Sequence, residues 1–353
     1  MLTYAAHNVG KIEFNGDQPL ARGPKIAEFE AALCKTVGAE HAVAVNSGTS
    51  ALYVACAALG FGGKRVAVPS ITFCGTANAV IMAGGTPIYA DVGLDGNIST
   101  NWLVGHANQY DAILPVHYAG NLCDLARIRN MFDGLILVDA CHALGASDLM
   151  RYADAICLSF HPAKQITTGE GGAILTNDQS AAFRMRSLRH NGIVSTYVSG
   201  VRQNVWAVPS LNFWMSDVNA AMGIEQLGRL AGIKRGRAAM AHAYYKSLPS
   251  WCNPCVDIDD EYECAWAMFP VLIDADILNE IPRYAIMTEM LRRGIETQIH
   301  YHPLHLHLAG KGDSGMLPGA EDFGARELTL PLHNRMDVGD VLRVCRALKE
   351  IHG

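Results

Sequence analysis

Through the first two-thirds of the chain, short apolar runs alternate with longer stretches at helical spacing. Ala42–Val45, Arg65–Val68, Pro87–Ala90, Ala112–Val116, Leu135–Val138, Ala155–Leu158 and Gly172–Leu175 read as strands. Helices are expected over Ser50–Leu59, Thr76–Ala83 and Gln179–Arg189, then over Ser216–Leu227 after a polar loop. Strands that are almost continuously apolar and separated by helices predict a mainly parallel seven-stranded sheet, covered on both faces. Ligands of such sheets gather at the carboxyl ends of the strands. From about Arg235 the pattern changes to a helix, two apolar strands (Ala267–Ile273 and Gly294–Ile299) with a helix between them, and a closing helix over Val338–Ile351. The expected fold is α/β, with a large domain over 1–234 and a smaller α+β domain over 235–353. No repeat and no low-complexity tract interrupts it.

Composition narrows the function classes. At 353 residues and 50% hydrophobic content, the chain can bury one large core or two unequal ones. A net charge of −6 with scattered basic residues argues against a nucleic-acid binder, which carries a basic face. No apolar run reaches membrane-spanning length, and Met1–Asn8 lacks the basic-then-apolar pattern of a signal peptide. Ten dispersed cysteines fit reduced thiols, which suggests a cytoplasmic enzyme. Cys252-Asn-Pro-Cys255 has CxxC spacing, but without a second pair it is a weak zinc or redox signal.

The candidate chemistry sits at strand ends. Ser159-Phe-His-Pro-Ala-Lys164 follows the run Ala155–Leu158 and precedes the Gly-rich turn Thr167–Gly172. A lysine placed there suits a Schiff base with an aldehyde cofactor, because burial lowers its pKa and frees its lone pair. The competing interpretation is an ordinary loop lysine. Asn46-Ser47-Gly48-Thr49-Ser50 joins a strand to a helix, whose N-terminus can hold a phosphate or can be a plain capping turn. There is no GxGxxG, since Gly60-Phe-Gly-Gly63 has the wrong spacing, and this disfavours a Rossmann dinucleotide site. Asp139 ends another strand, with His142 three residues on; a carboxylate there can keep a ring nitrogen protonated or can simply cap a helix. Phe73 can stack on a flat ring or pack in the core. His300, His302, His305 and His307 alternate, and two of them, 300 and 302, could chelate a metal, although no metal site is expected. A phosphate cradle, a ring stacker, a pyridinium partner and a Schiff-base lysine together fit pyridoxal 5'-phosphate.

With these residues in order, the chain resembles the DegT/DnrJ/StrS family of sugar aminotransferases, of fold type I. The likeness runs from about Leu20 almost to the end. It is carried by Gly23-Pro24, Val45–Leu52, Asp139–Gly145, Ser159–Lys164 with Gly169–Gly172, Gly294–His305 and Leu328–Leu332. The resemblance implies that Lys164 is the Schiff-base lysine and proton shuttle and that Asp139 pairs with the pyridine nitrogen. His142 is implied beside the ring, Phe73 over one ring face, and Ser159 with Ser47, Gly48 and Thr49 around the phosphate. Asn212 matches an asparagine that reaches the neighbouring subunit's phosphate, which implies a homodimer with shared active sites. His305 is implied near the sugar or the donor carboxylate. Two departures stand out: Trp214 occupies the position of a usual arginine that faces donor or substrate, and the amino terminus is short. His161-Pro162 and the Thr-Thr-Gly-Glu-Gly-Gly run are most similar to the subgroup that aminates C4 of UDP-linked 4-keto-6-deoxyhexosamines, with L-glutamate as donor. The alternatives are another keto-sugar or an aminocyclitol as acceptor, a 3-dehydratase (disfavoured because Lys164 is not histidine), and a non-catalytic binding protein.

Overall fold

The computed structural model describes residues 20–256, 264–310 and 315–352. The segment Met1–Asn8, read above for leader features, lies outside the described residues. Seven strands form the large sheet: β1 (His41–Val45), β2 (Arg65–Pro69), β3 (Thr86–Ala90), β4 (Ala112–Ile113), β5 (Leu135–Asp139), β6 (Ala155–Ser159) and β7 (Gly172–Thr176). Their order is β1-β7-β6-β5-β4-β2-β3, parallel except around β7, which runs antiparallel to both neighbours. Because β7 is reversed, β1 and β6 still run the same way. The carboxyl ends of β1, β2, β5 and β6 therefore share one edge with the amino end of β7.

The strands are apolar because both faces are covered. Val43, Val45, Val66, Val68, Leu137 and Ile174 pack under α2 (Gly48–Ala58) and α3 (Cys74–Met82). Ala42, Ala44, Ile113, Ile136, Val138 and Ile156 face a second layer that includes Phe29 of α1 (Pro24–Val37) and Ala220 of α7 (Asp217–Gly228). A three-stranded antiparallel sheet follows, with β11 (Phe269–Ile273) between β10 (Cys252–Pro254) and β12 (Glu327–Leu330). The helix α8 (Leu230–Ser247) spans positions 234 and 235. Its Leu230 joins the core of the large sheet, while Met240, Ala241 and Tyr244 join the core around the small one. The last helices are α9 (Ala275–Glu280), α10 (Arg283–Arg292), α11 (Pro318–Arg326) and α12 (Val338–Lys349). Among the described residues, no helix is long and apolar enough to cross a membrane.

Three local expectations are corrected. The strand over Gly294–Ile299 does not form; Ile295 and Gln298 make isolated bridges, Gln298 with Thr329, and the segment leads to His300 and Tyr301 at the cavity described below. The strand from Ala112 stops at Ile113, because Pro115 has no N–H to extend the ladder. The polar loop contains a hairpin, β8 (Ile193–Val198) paired with β9 (Val201–Trp206). Ser199 and Gly200 turn it with φ of 51° and 79°, the left-handed pair that a tight hairpin needs. Its outward face is exposed on every β9 residue, so no apolar alternation marks it in the sequence.

Candidate active site

Each strand end at the shared edge delivers one side chain. After β1, Ser47 caps α2: its Oγ accepts the Ser50 N–H at 3.1 Å. The first-turn amides of Gly48 and Thr49 have no acceptor within the helix and carry its positive end. Gly48 is required by proximity, since a Cβ there would lie 2.7 Å from Ser159 Cβ, at the end of β6. Helix N-terminus and serine hydroxyl thus converge on one point, as a phosphate requires.

Asp139 ends β5 and is 5% exposed. Its Oδ2 accepts the Thr76 hydroxyl at 2.8 Å, and its Oδ1 accepts the Cys141 N–H at 3.1 Å. Because Thr76 gives its hydrogen to Asp139, its oxygen accepts from Thr72, 2.8 Å away. The carboxylate is held in one orientation by donors that leave its charge intact.

Lys164 is half-buried on the turn after β6, which its N–H closes by donating to the His161 carbonyl at 2.9 Å. Burial holds its pKa below the ordinary lysine range; the charge of Asp139 opposes this. The Cys141 thiol, also nearby, is pushed well above its usual range by burial and by Asp139, so it stays neutral at neutral pH. His142 is buried, and its Nδ1 has no partner. Burial, Lys164 and His300 push its pKa well down, so it is an uncharged imidazole. His300 is likewise pushed down, to about 3, by burial and by Lys164.

These groups line one cavity of about 700 Å³, with Ser47, Gly48, Thr49, Phe73, Asp139, His142, Ser159 and Lys164 in its wall. That volume is in the range of a cofactor or small-ligand site. Phe73, half exposed, stands at the mouth, with its ring centroid 6.2 Å from that of Tyr301. A second cavity of about 780 Å³, lined by Trp251, Asp274 and His352, holds none of these groups.

Three predicted residues are placed elsewhere. Asn212 is exposed and caps its own turn, accepting the Trp214 N–H at 3.2 Å. Trp214 is packed, with the Arg189 guanidinium 3.8 Å from its ring centroid and its Nε1–H donating to His190 Nδ1. Arg189 is in turn ion-paired to Glu30 at 2.5 Å. His305 is bonded to Ser70 at 2.7 Å and faces Glu321 at 3.4 Å. Among the described residues, no group of three or more His, Cys, Asp or Glu is arranged to hold a metal. Cys252 and Cys255 are buried free thiols. Sequence reasoning missed Thr72, Thr76, Cys141 and the inward turn of His300. Thr76 had no signal beyond its place in the first turn of α3.

A profile of the DegT/DnrJ/EryC1/StrS aminotransferase family matches residues 11–349. The chain is 32% identical over 366 aligned positions to the UDP-4-amino-4,6-dideoxy-N-acetyl-beta-L-altrosamine transaminase of Campylobacter jejuni, covering 96% of this chain and 94% of that one. Helicobacter pylori PseC, an aminotransferase involved in the biosynthesis of pseudoaminic acid, superposes with a TM-score of 0.91 at 26% identity, over 99% of this chain and 98% of that one. A putative sugar aminotransferase of Streptococcus pneumoniae, solved in its PLP-form, superposes with a TM-score of 0.84 at 25% identity, over 95% and 93% of the two chains. With its mainly parallel fold type I sheet, the chain belongs to the DegT/DnrJ/EryC1/StrS aminotransferase family.

Proposed function

We propose that this aminotransferase binds pyridoxal 5'-phosphate and moves an amino group from L-glutamate to C4 of a UDP-linked 4-keto-6-deoxyhexosamine. The observation that carries the reading is the convergence of Lys164, Asp139, Ser159 and the N-terminus of α2 on one cavity. The acceptor class is supported by the name of the Campylobacter jejuni relative, which covers nearly the whole chain.

The residues present fit the cofactor. Gly48 lies too close to Ser159 for a side chain, which lets the N-terminus of α2 approach the Ser159 hydroxyl. Asp139 offers a fixed carboxylate, and His142 Nδ1 is a buried polar atom awaiting a partner. Ser47, Gly48, Thr49 and Ser159 would hold the phosphate, Asp139 a proton at the pyridine nitrogen, Phe73 one ring face, and Lys164 the aldehyde carbon. When bound, pyridoxal phosphate supplies an aldehyde that captures the amino group and a ring that draws off the electron pair left at the neighbouring carbon. Lys164 Nζ, whose pKa burial holds below the ordinary lysine range, would accept the proton from that carbon and return it at the cofactor side. The hydrogen bonds from Thr76 and Cys141 fix the Asp139 carboxylate, which would pair with the ring nitrogen of the bound cofactor. Binding of the nucleotide end, remote from the reacting carbon, supplies energy for orientation.

The site is completed by a second copy of the chain, with Asn212 of each protomer serving its partner. Its exposure, and that of Leu211, Trp206 and Tyr197 nearby in sequence, supports this reading. The functional division lies near residues 234–235, with the cofactor groups before it. Ten free thiols fit a reducing, cytoplasmic setting. The test is the visible spectrum of the protein with pyridoxal phosphate. A bound chromophore should be bleached by L-glutamate and restored by the keto-sugar, and Lys164→Ala should show neither change. Absence of any protein-bound chromophore would sink the reading.

A further inference from the structure

Two further side chains stand on the turn that carries Lys164. His161 and Glu170 both line the cavity, one before the lysine and one after it. Their side chains are 52% and 65% exposed, so both are open to a ligand there. The backbone beneath them is fixed. The Phe160 N–H donates to the Gly171 carbonyl at 2.8 Å, and the Thr168 N–H returns a bond to the Phe160 carbonyl at 3.0 Å. The Glu170 carbonyl accepts the Thr168 hydroxyl at 2.7 Å and Asn219 Nδ2 of α7 at 3.2 Å. The Glu170 carboxylate takes part in none of these bonds.

Donor counting assigns the hydrogen of the His161 ring. The Ala163 N–H donates to His161 Nδ1 at 3.1 Å. A backbone amide can only donate, so Nδ1 holds the lone pair and Nε2 carries the hydrogen. His161 Nε2 faces Glu170 Oε1 at 4.0 Å, too far for a hydrogen bond between them. Neither Nε2 nor the Glu170 carboxylate is bonded elsewhere among the described residues. A donor and a carboxylate thus stand side by side with a gap one atom wide. An oxygen that accepts from Nε2 at about 2.8 Å and donates to the carboxylate at about 2.6 Å spans that gap with an angle of roughly 95°, which a hydroxyl can adopt. A carboxylate is repelled by Glu170, and an ammonium has no lone pair for the Nε2–H. We propose that His161 and Glu170 together recognise a single hydroxyl of the acceptor sugar, and so serve the acceptor half of the reaction rather than the donor half.

Which hydroxyl it is follows from the acceptor class, and this step rests on the function proposed above. In a UDP-linked 4-keto-6-deoxyhexosamine, C1 carries the nucleotide, C2 the nitrogen and C4 the carbonyl. The C5 oxygen closes the ring, and C6 has lost its hydroxyl. The one free hydroxyl of that sugar is on C3, beside the reacting carbon. His161 and Glu170 stand three residues before and six after the lysine that acts at that carbon. The C3 hydroxyl is therefore assigned to them, and holding it orients the carbonyl next to it. L-glutamate offers only carboxylates and an ammonium, neither of which fits the pair.

The experiment is isothermal titration calorimetry of the protein loaded with pyridoxamine phosphate. The probes are a UDP-linked 4-amino-4,6-dideoxyhexosamine and its 3-deoxy counterpart. Two amines cannot react with each other, so binding alone is read. Wild type should bind the 3-deoxy sugar about 10-fold more weakly, because both members of a matched pair lose their partner. Glu170→Ala and His161→Asn should bind the hydroxyl sugar about 10-fold more weakly and should no longer tell the two sugars apart. Asparagine keeps an acceptor for the N–H two residues on, so it spares the turn while removing the Nε2 donor. In steady state, the loss should fall on kcat/KM for the keto-sugar and not on that for L-glutamate. Equal losses for both substrates, or full discrimination between the sugars in both variants, overturn the proposal. A wild type that binds neither sugar overturns the acceptor class and the C3 assignment with it, whereas one that binds both alike overturns the pair alone.

Discussion

Buried imidazoles set the chain's response to acid. His117 is 1% exposed, its Nδ1 accepts the Cys123 N–H at 3.1 Å, and its Nε2 has no partner. Burial lowers its pKa from 6.5 to about 3. Above 6.5 it is neutral whether the chain is folded or not, so it contributes nothing to the pH dependence. Below 6.5 only the unfolded chain takes up the proton, so stability is lost as pH falls toward 3. Between pH ~7 and ~5 that loss is about 2 kcal/mol for one such group. Urea unfolding at the two pH values should show His117→Gln losing about 2 kcal/mol less than wild type on acidification; equal losses would mean that His117 titrates normally in the fold. Glu327 runs the opposite way, because its carboxyl is raised: its burial penalty is full above about 7 and is relieved as pH falls toward its unfolded value. Asp139 was legible as a candidate because it ends a strand-like run, and Lys164 because it lies between such a run and a Gly-rich turn. Thr76 and Glu327 were not, since nothing in a linear pattern says that a threonine seven residues after a β-strand, or a glutamate after α11, will face a group far away in sequence.

The element that most shapes the site is the reversed strand β7. Gly172 starts it, opposite Val45 and Ser159. A Cβ at Gly172 would lie 2.3 Å from the Ser47 carbonyl oxygen and 2.8 Å from the Gly48 nitrogen, both backbone atoms that cannot swing away. Gly172→Ala must therefore displace the N-terminus of α2. We expect it to weaken pyridoxal phosphate binding at least about 10-fold and to cost about 1–3 kcal/mol of stability. Cofactor titration and thermal unfolding measure the two, and unchanged affinity would remove α2 from the phosphate site. The sequence showed a Gly-rich turn here and its strand, but not which glycine is sterically required, because the close approach is between elements 125 positions apart. The hairpin β8–β9 was hidden for a related reason: among the described residues every position of β9 is exposed, so burial left no imprint on its residue pattern. Gly294–Ile299 misled in the other direction: Ile295 is buried and Ile299 half-buried in an irregular segment rather than in a ladder.

At the scale of the assembly, the proposed dimer makes a test of its own. Lys164→Ala and Asn212→Ala should each be inactive alone. If each site takes its lysine from one protomer and its asparagine from the other, a mixed dimer has one intact site. Unfolding and refolding the two variants together should then recover about a quarter of wild-type activity. An active Asn212→Ala would leave Asn212 without a role, and a mixture no more active than two inactive parents would place both residues in the same protomer's site. The large sheet and the presence of a distinct carboxyl-terminal part were readable because apolar strands and helices are set by local burial. The path joining the two parts was not. Arg237, fully buried on α8, donates to the carbonyls of Trp266, Ala267 and Leu332, and its Nε–H donates to Asn334 Oδ1 at 2.8 Å. Asn334 Nδ2 donates to the Gln165 carbonyl at 3.1 Å, and the Gln165 side chain donates to the His142 carbonyl. The residue next to Lys164 is thereby anchored from beyond β12. For anyone splicing chimeras from this family to change acceptor range, the carboxyl-terminal half is no interchangeable cassette. A graft that replaces the 330s without an amide at position 334 cuts a tether to the turn that carries Lys164, and its effect would be mistaken for altered specificity.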